Sequence, residues 1–330
     1  MRVYAVARPK DTRVARVSGL GFRVLGFGFR VDQPDSSRPT PDIWHPTSDT
    51  WHPTSDTWHP TPDTWHPTPD PAPKAHDTAP RAYEAIAANY DEQIRGDEWM
   101  RRALHRHYLS VFAPGQRVLD LGCGTGTDAL VLAQRGISVV GIDGSESMIG
   151  ALRAKVAAAK QEHLVTGRVL SLSELGSLDE RFDGAFSSFA ALSTVDLGQF
   201  ARDAARLVHG RMVLHLLNRF SLWEWLGLIA RRRWREAGRL RLQRVRNFRI
   251  GGHDVQHNLY FAREAYARFF ADAFTLRGAY SLGALRPPHT VQRLPRGIVN
   301  GLEHLDVRLG ELPGVRDAGR FFVLDLKRRA

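Results

Sequence analysis

The chain of 330 residues is poor in cysteine and in long apolar runs, and each scarcity removes a class of explanation. Cys123 is its one cysteine, so no intramolecular disulfide can form and a reducing compartment is expected. No stretch reaches the ~18 consecutive apolar residues that a bilayer-spanning helix needs. The apolar stretch from Val17 to Val31 is broken by Arg23 and Arg30, which argues against a secretory signal, and cytoplasmic residence is expected. Acidic residues are in deficit, 35 against 46 basic ones, and the deficit is local. Residues 219–330 hold 22 basic and 10 acidic side chains, while residues 1–218 are close to neutral.

The N-terminal quarter is a repeat. Trp44, Trp51, Trp58 and Trp65 recur every seven residues inside near-identical Trp-His-Pro-Thr units. A proline in each unit excludes a continuous helix or coiled coil, so residues 1–77 are expected to form a disordered, polyproline-like tail. His45, His52, His59 and His66 are the one set that could gather a transition metal, but no metal site is expected. Gly21-Phe-Arg-Val24 and Gly28-Phe-Arg-Val31 also recur at seven, as a tandem DNA repeat would encode. Much of residues 1–75 is therefore expected to be an overextended gene start, with the folded domain covering residues 78–330.

The chemistry is concentrated in Arg117-Val-Leu-Asp-Leu-Gly-Cys-Gly-Thr-Gly-Thr-Asp128. Val118, Leu119 and Leu121 fit a strand buried on both faces, and Gly122, Gly124 and Gly126 clear side chains from a turn that a ligand approaches closely. The amides of the following helix, Asp128 to Gln134, face the same space. A dinucleotide site requires G-x-G-x-x-G, and here Thr127 replaces the last glycine. Asp120, just before the turn, would repel a pyrophosphate and welcome an ammonium. Val139-Val-Gly-Ile-Asp143 is a second short strand ending in a carboxylate that can accept both hydroxyl hydrogens of a ribose.

This constellation resembles motif I and the following strand of the class I S-adenosylmethionine-dependent methyltransferases. The resemblance implies an α/β fold, a doubly wound, mostly parallel seven-stranded sheet of order 3-2-1-4-5-7-6 with helical insertions after strands 5 and 6. It implies S-adenosylmethionine as cofactor, held by Asp120, Gly122, Cys123, Gly124 and Gly126, with Asp143 on the ribose. Gly144, Ser145 and Met148 would lie along the adenine, Ser171 and Leu172 at the end of the third strand, and Ser187 after the fourth. Residues 83–91 look like the family's amphipathic N-terminal helix, in which Tyr90 closes over the methionine end. Phe274 to Leu282 and Arg320 to Lys327 would supply the closing antiparallel pair. Cys123 fits a small side chain beneath the cofactor better than a nucleophile, because no partnered base is evident.

The acceptor side is less legible. The first insertion, about 219–250, opens with Trp223 and Trp225 and then turns basic, from Arg231-Arg232-Arg233 to Arg249. On a helix Leu222, Trp225, Leu226 and Ile229 share a face, which predicts a lid over the substrate. The competing reading is peripheral docking of residues 219–249 on an anionic membrane. No RNA-binding module accompanies the arginines, so nucleic acid is not expected as a partner. Arg286, in a second insertion of about 285–318, would help close the pocket. A catalytic residue is not identified; His215, Tyr260 and His289 are the candidates, with His253 and His257 as further polar residues. The expected activity is methyl transfer to a small organic acceptor at O, N or C. The alternatives are a membrane-associated lipid or quinone precursor as acceptor, or a catalytically silent, basic RNA-binding or scaffold protein. Thr127 and Asp120 disfavour a nicotinamide-dependent oxidoreductase.

Overall fold

The computed structural model describes residues 78–288 and 294–329. The expectations for residues 1–77, and for His289, lie outside the described residues. Along the chain, α1 (Ala79–Glu84) and α2 (Tyr90–Gln93) are separated by a single 3-10 turn at Ala87–Asn89. Then come α3 (Glu98–Val111), β1 (Arg117–Leu121), α4 (Thr127–Ala133), β2 (Ser138–Asp143), α5 (Glu146–Ala158) and β3 (Val165–Val169). β4 (Phe182–Ser187), α6 (Leu197–Leu207) and β5 (Val208–Leu217) complete the parallel part. They are followed by α7 (Leu222–Ala230), α8 (Trp234–Arg239), β6 (Val245–Ile250), β7 (His253–Asn258) and α9 (Ala262–Ala265). β8 (Phe274–Leu282), α10 (Arg296–Leu309) and β9 (Phe321–Arg328) end the described chain.

Seven strands form one sheet in the order β3-β2-β1-β4-β5-β9-β8. With β6 and β7 set aside as a separate two-stranded sheet, this is the expected 3-2-1-4-5-7-6. β1 to β5 pair in parallel, and β9 runs antiparallel to both β5 and β8. Successive residues of the central strands face opposite cores, as the period of two requires. Val118, Val139, Phe186 and Val213 pack with α3, α4 and α5, whereas Leu119, Val140, Ala185 and Leu214 pack with α6 and Phe270. With both faces covered, the parallel strands read as near-continuous apolar runs. The order reverses between β1 and β4, and such sheets open a crevice beyond the carboxyl ends of their strands at that point.

Two local expectations are corrected. Residues 83–91 do not form one helix. Ala79 and Ala82, with Tyr83 and Ile86, pack on the β6–β7 hairpin, whereas Tyr90 packs on the main core. One straight helix cannot present one apolar stripe to two neighbours lying in different directions, and the chain breaks at Ile86. The insertion after β5 is not purely helical either, because its arginine-rich end is strand. The signal was present: Val245, Phe248 and Ile250 precede Gly251-Gly252, and both glycines adopt the positive φ (54° and 85°) that a two-residue hairpin turn needs.

Candidate active site

The crevice beyond β1 and β2 is a half-open cavity. Its lining brings together Tyr90, Gly122, Gly124, Asp143, Gly144, Met148, Ser171 and Leu172 from the sequence-predicted set. The glycine turn is shaped by its neighbours. A Cβ at Gly122, whose φ is +74°, would lie 2.5 Å from the Ala191 Cβ, so only glycine leaves this passage open. Gly126 also has positive φ, +77°, but its missing side chain makes room for Leu152 rather than for the cavity. The carboxylate of Asp143 ties the two loops together. Its Oδ2 accepts the Gly124 amide at 3.0 Å and its Oδ1 accepts the Ser145 amide at 3.0 Å.

Asp120 lies just behind this turn and does not line the cavity. It is 1% exposed, and neither carboxylate oxygen has a hydrogen-bond partner. Burial pushes its pKa well up, and the nearby Asp128 and Asp143 carboxylates push it further. Asp128 is the contrast. Burial opposes its charge too, but Arg101 at 3.1 Å and His105 at 2.6 Å outweigh that and hold its pKa at about 2. Two carboxylates of similar burial therefore have opposite tendencies, and the one at the end of β1 is short of a cation.

The other predicted residues have structural partners. The thiol of Cys123 is buried beside Gly141, and burial raises its pKa well above the usual range, which removes it as a nucleophile. Ser145 caps α5 by accepting the Met148 amide, and its Oγ donates to Glu84 at 2.5 Å. Glu84 also accepts from the Ser147 amide and hydroxyl, so α1 is latched to the N-terminus of α5 beside the cavity. Ser187 is fully buried and donates to the Leu121 carbonyl at 2.9 Å.

His215 is fully buried, and burial lowers its pKa to about 3. Its Nδ1 accepts the Phe189 amide at 3.0 Å, and its carbonyl accepts the Ala190 amide at 3.1 Å. Phe189 and Ala190 both have positive φ, 49° and 62°, a strained pair that His215 clamps in place. Tyr260 packs against Phe269 in the core on the α6 side, away from the cavity. Trp225 packs with Phe220, Leu228, Ala237 and Leu240, and neither it nor Trp223 lines the cavity. Leu226 does not share the buried face of α7; it is 39% exposed. Arg286 stacks on Trp99 and pairs with Glu303 at 3.0 Å, also away from the cavity.

Sequence reasoning missed Pro80 and Tyr83 of α1, and Ser188, Phe189, Ala191, Thr194 and Val195 after β4, all of which line the cavity. Period-two counting on β4 could have found part of this. Ser187 points into the sheet, so the next residues turn toward the crevice.

A family model described as a methyltransferase domain matches residues 118–211. Residues 118–211 are thus similar to a methyltransferase domain, and they lie in a seven-stranded sheet of the expected order. That methyltransferase segment contains the glycine turn, Asp120 and Asp143. Over 132 residues the chain is 30% identical to a demethylmenaquinone methyltransferase of Symbiobacterium thermophilum, a match covering 37% of this chain and 51% of that protein. Over 107 residues it is 36% identical to a ubiquinone biosynthesis O-methyltransferase of Bradyrhizobium diazoefficiens, covering 32% and 41%. The chain thus spans about half the length of these curated relatives or less. A solved geranyl diphosphate C-methyltransferase from Streptomyces coelicolor overlaps 78% of this chain and 85% of its own, at 15% identity and a TM-score of 0.44.

Proposed function

We propose that the protein transfers a methyl group from S-adenosylmethionine to a small organic acceptor, at O, N or C. The observation that carries this reading is Asp120, a buried carboxylate with both oxygens unpartnered behind a side-chain-free glycine turn. A buried charge without a partner is costly, and an ammonium group of a bound ligand is the missing partner. Asp143 would take the ribose hydroxyls, with Gly144, Met148, Ser171 and Leu172 along the adenine and Tyr90 and Tyr83 over the methionine end. Bound there, S-adenosylmethionine supplies a methyl already activated by its sulfonium. The chain's own work is then to align the acceptor and exclude water, and no general base is required. Calorimetric titration with S-adenosylmethionine and S-adenosylhomocysteine tests the reading. Binding of both in the micromolar range is expected, with Asp143→Ala weaker by at least about tenfold, because charge-assisted hydrogen bonds are lost. Unchanged affinity in Asp143→Ala sinks the assignment.

A second reading, a membrane-associated lipid or quinone precursor as acceptor, is favoured by one surface. Trp234 is 60% exposed, Leu242 76% and Val245 46%, within a stretch where residues 226–249 hold nine arginines and one glutamate. Exposed apolar side chains among arginines are the makeup of an interfacial contact. Among the described residues no helix is long and apolar enough to cross a membrane.

A further inference from the structure

Among the described residues, none of the β6–β7 hairpin lines the cavity, yet the hairpin touches two of its walls. One contact is at its turn. A Cβ on Gly251 would collide with the Ala82 carbonyl oxygen and come within 2.9 Å of the Ala85 Cβ, so the turn lies hard against α1. Ile250 and Val255 bury themselves against Ala79 and Ala82 of the same helix. The other contact is at the end of β7, where the Asn258 side-chain amide donates to the Val195 carbonyl at 3.0 Å. Val195 belongs to the part of the cavity wall that follows β4.

α1 has little slack elsewhere. Pro80 sits on Gly144, where a Cβ would be 2.6 Å from the Pro80 Cγ, and Glu84 is held by Ser145 and Ser147 at the start of α5. The helix is thus gripped between the hairpin and the loop that follows Asp143. Six residues make too few internal hydrogen bonds to keep a helix in place alone, so the position of α1 is set by what grips it. The residue placed by this grip is Tyr83. It meets Tyr90 edge-to-face in the cavity wall, with ring centres 6.1 Å apart at 76°.

We propose that the hairpin is a brace that sets how long the cavity retains its ligand, with Gly251 and Asn258 as positioning residues for Tyr83 and Val195. The proposal rests on the methyltransferase reading above, in which that ligand is S-adenosylmethionine or S-adenosylhomocysteine. A brace outside the cavity adds no contact to the ligand. It acts on how often the wall gives way, so loosening it raises the dissociation rate and changes the association rate little. Linkage is reciprocal, so a ligand that favours the closed wall also steadies the hairpin.

The test compares Gly251→Ala and Asn258→Ala with Gly252→Ala, all in the full chain. Gly251 and Gly252 both have positive φ, so both turn variants carry the same kind of backbone strain, but nothing lies within 4 Å of a Cβ on Gly252. Stopped-flow release of S-adenosylhomocysteine should be faster than in Gly252→Ala by about threefold or more in Gly251→Ala and in Asn258→Ala, as expected for coupling through packed neighbours. A merely structural turn would lower the thermal midpoint and speed release alike in both turn variants. Release no faster in either Gly251→Ala or Asn258→Ala than in Gly252→Ala overturns the proposal and leaves the cofactor reading standing. Hydrogen exchange on the wild type decides the matter should a variant fail to fold. Saturation with S-adenosylhomocysteine should slow exchange in residues 245–258 as well as 79–84, and unchanged exchange in residues 245–258 overturns the proposal. Failure of S-adenosylhomocysteine to bind the wild type overturns both readings.

Discussion

Replacing Asp120 by asparagine should move stability and affinity in opposite directions. In the cofactor-free protein the carboxylate is buried without a partner, and burial together with Asp128 and Asp143 raises its pKa. A carboxyl whose folded pKa is raised contributes stability that is fully present below the unfolded value and is lost as pH rises through the folded one. At neutral pH the wild-type residue therefore costs stability, and the near-isosteric, uncharged asparagine should raise the thermal midpoint, by roughly 2–4 °C per kcal/mol recovered in a domain of this size. The same change removes the charged acceptor for the ligand's ammonium. An interaction of about 1.5–3 kcal/mol is lost, which weakens S-adenosylmethionine binding by about 10- to 150-fold. Scanning calorimetry without ligand and titration calorimetry with it measure the two effects. Titrations in buffers of different ionisation enthalpy should also show proton release on binding by the wild type and less by Asp120→Asn. A variant with a lower thermal midpoint and unchanged affinity would refute the argument, because Asp120 would then be a structural residue.

The buried neutral histidines should make the fold acid-sensitive in a window set by their pKa values. His215 and His257 are lowered to about 3 and about 4, so as pH falls below 6.5 the unfolded chain takes up protons that the folded one refuses. Each then costs about 2 kcal/mol at pH 5. Denaturant melts at pH 7 and pH 5 should show His257→Gln losing less stability than wild type on acidification; an equal loss counts against a neutral His257. Asp128, lowered to about 2, adds its own loss only below the ordinary carboxylate range, near 3.8. For the arginine-rich insertion, sedimentation with anionic vesicles should be salt-sensitive and absent with neutral vesicles, each arginine near the surface contributing about 1 kcal/mol. Failure to pellet with anionic vesicles at low salt removes the membrane reading.

The sheet order and most of the cofactor-side cavity were legible because they depend on local rules. A buried parallel strand must be apolar on both faces, and a backbone that approaches a ligand must lack Cβ atoms, so β1, β2 and the glycine turn have few alternatives in sequence. Asp120 and Asp143 stood out for the same reason, as carboxylates at the ends of apolar runs. What was not legible depends on packing between distant segments. Tyr83 faces the cavity because the β6–β7 hairpin, some 170 residues later, holds α1 down, and no periodicity within residues 79–90 carries that information. Trp225 misled for the converse reason. An amphipathic stripe says that a helix has a partner, and here the partner is Phe220, Ala237 and Leu240 rather than the cavity. The Gly251-Gly252 turn was readable and was masked by the attention the arginines drew.

The hairpin's place in the chain has a consequence for how such an enzyme could change its diet. Asp120, Asp143 and the glycine turn fall inside residues 118–211, the stretch shared with known methyltransferases, whereas Phe248, His257 and Arg320 fall outside it. The glycine turn with its two carboxylates and the β6–β7 hairpin thus come on separate stretches of sequence. Resemblance over the first stretch bears on the glycine turn and its carboxylates and is silent about the hairpin. β6 and β7 pair only with each other, so the hairpin can vary without breaking a ladder of the seven-stranded sheet. An exchange of the hairpin would reach the cavity through α1, by letting Tyr83 and Pro80 shift, while the glycine turn, Asp120 and Asp143 stay where the parallel sheet holds them.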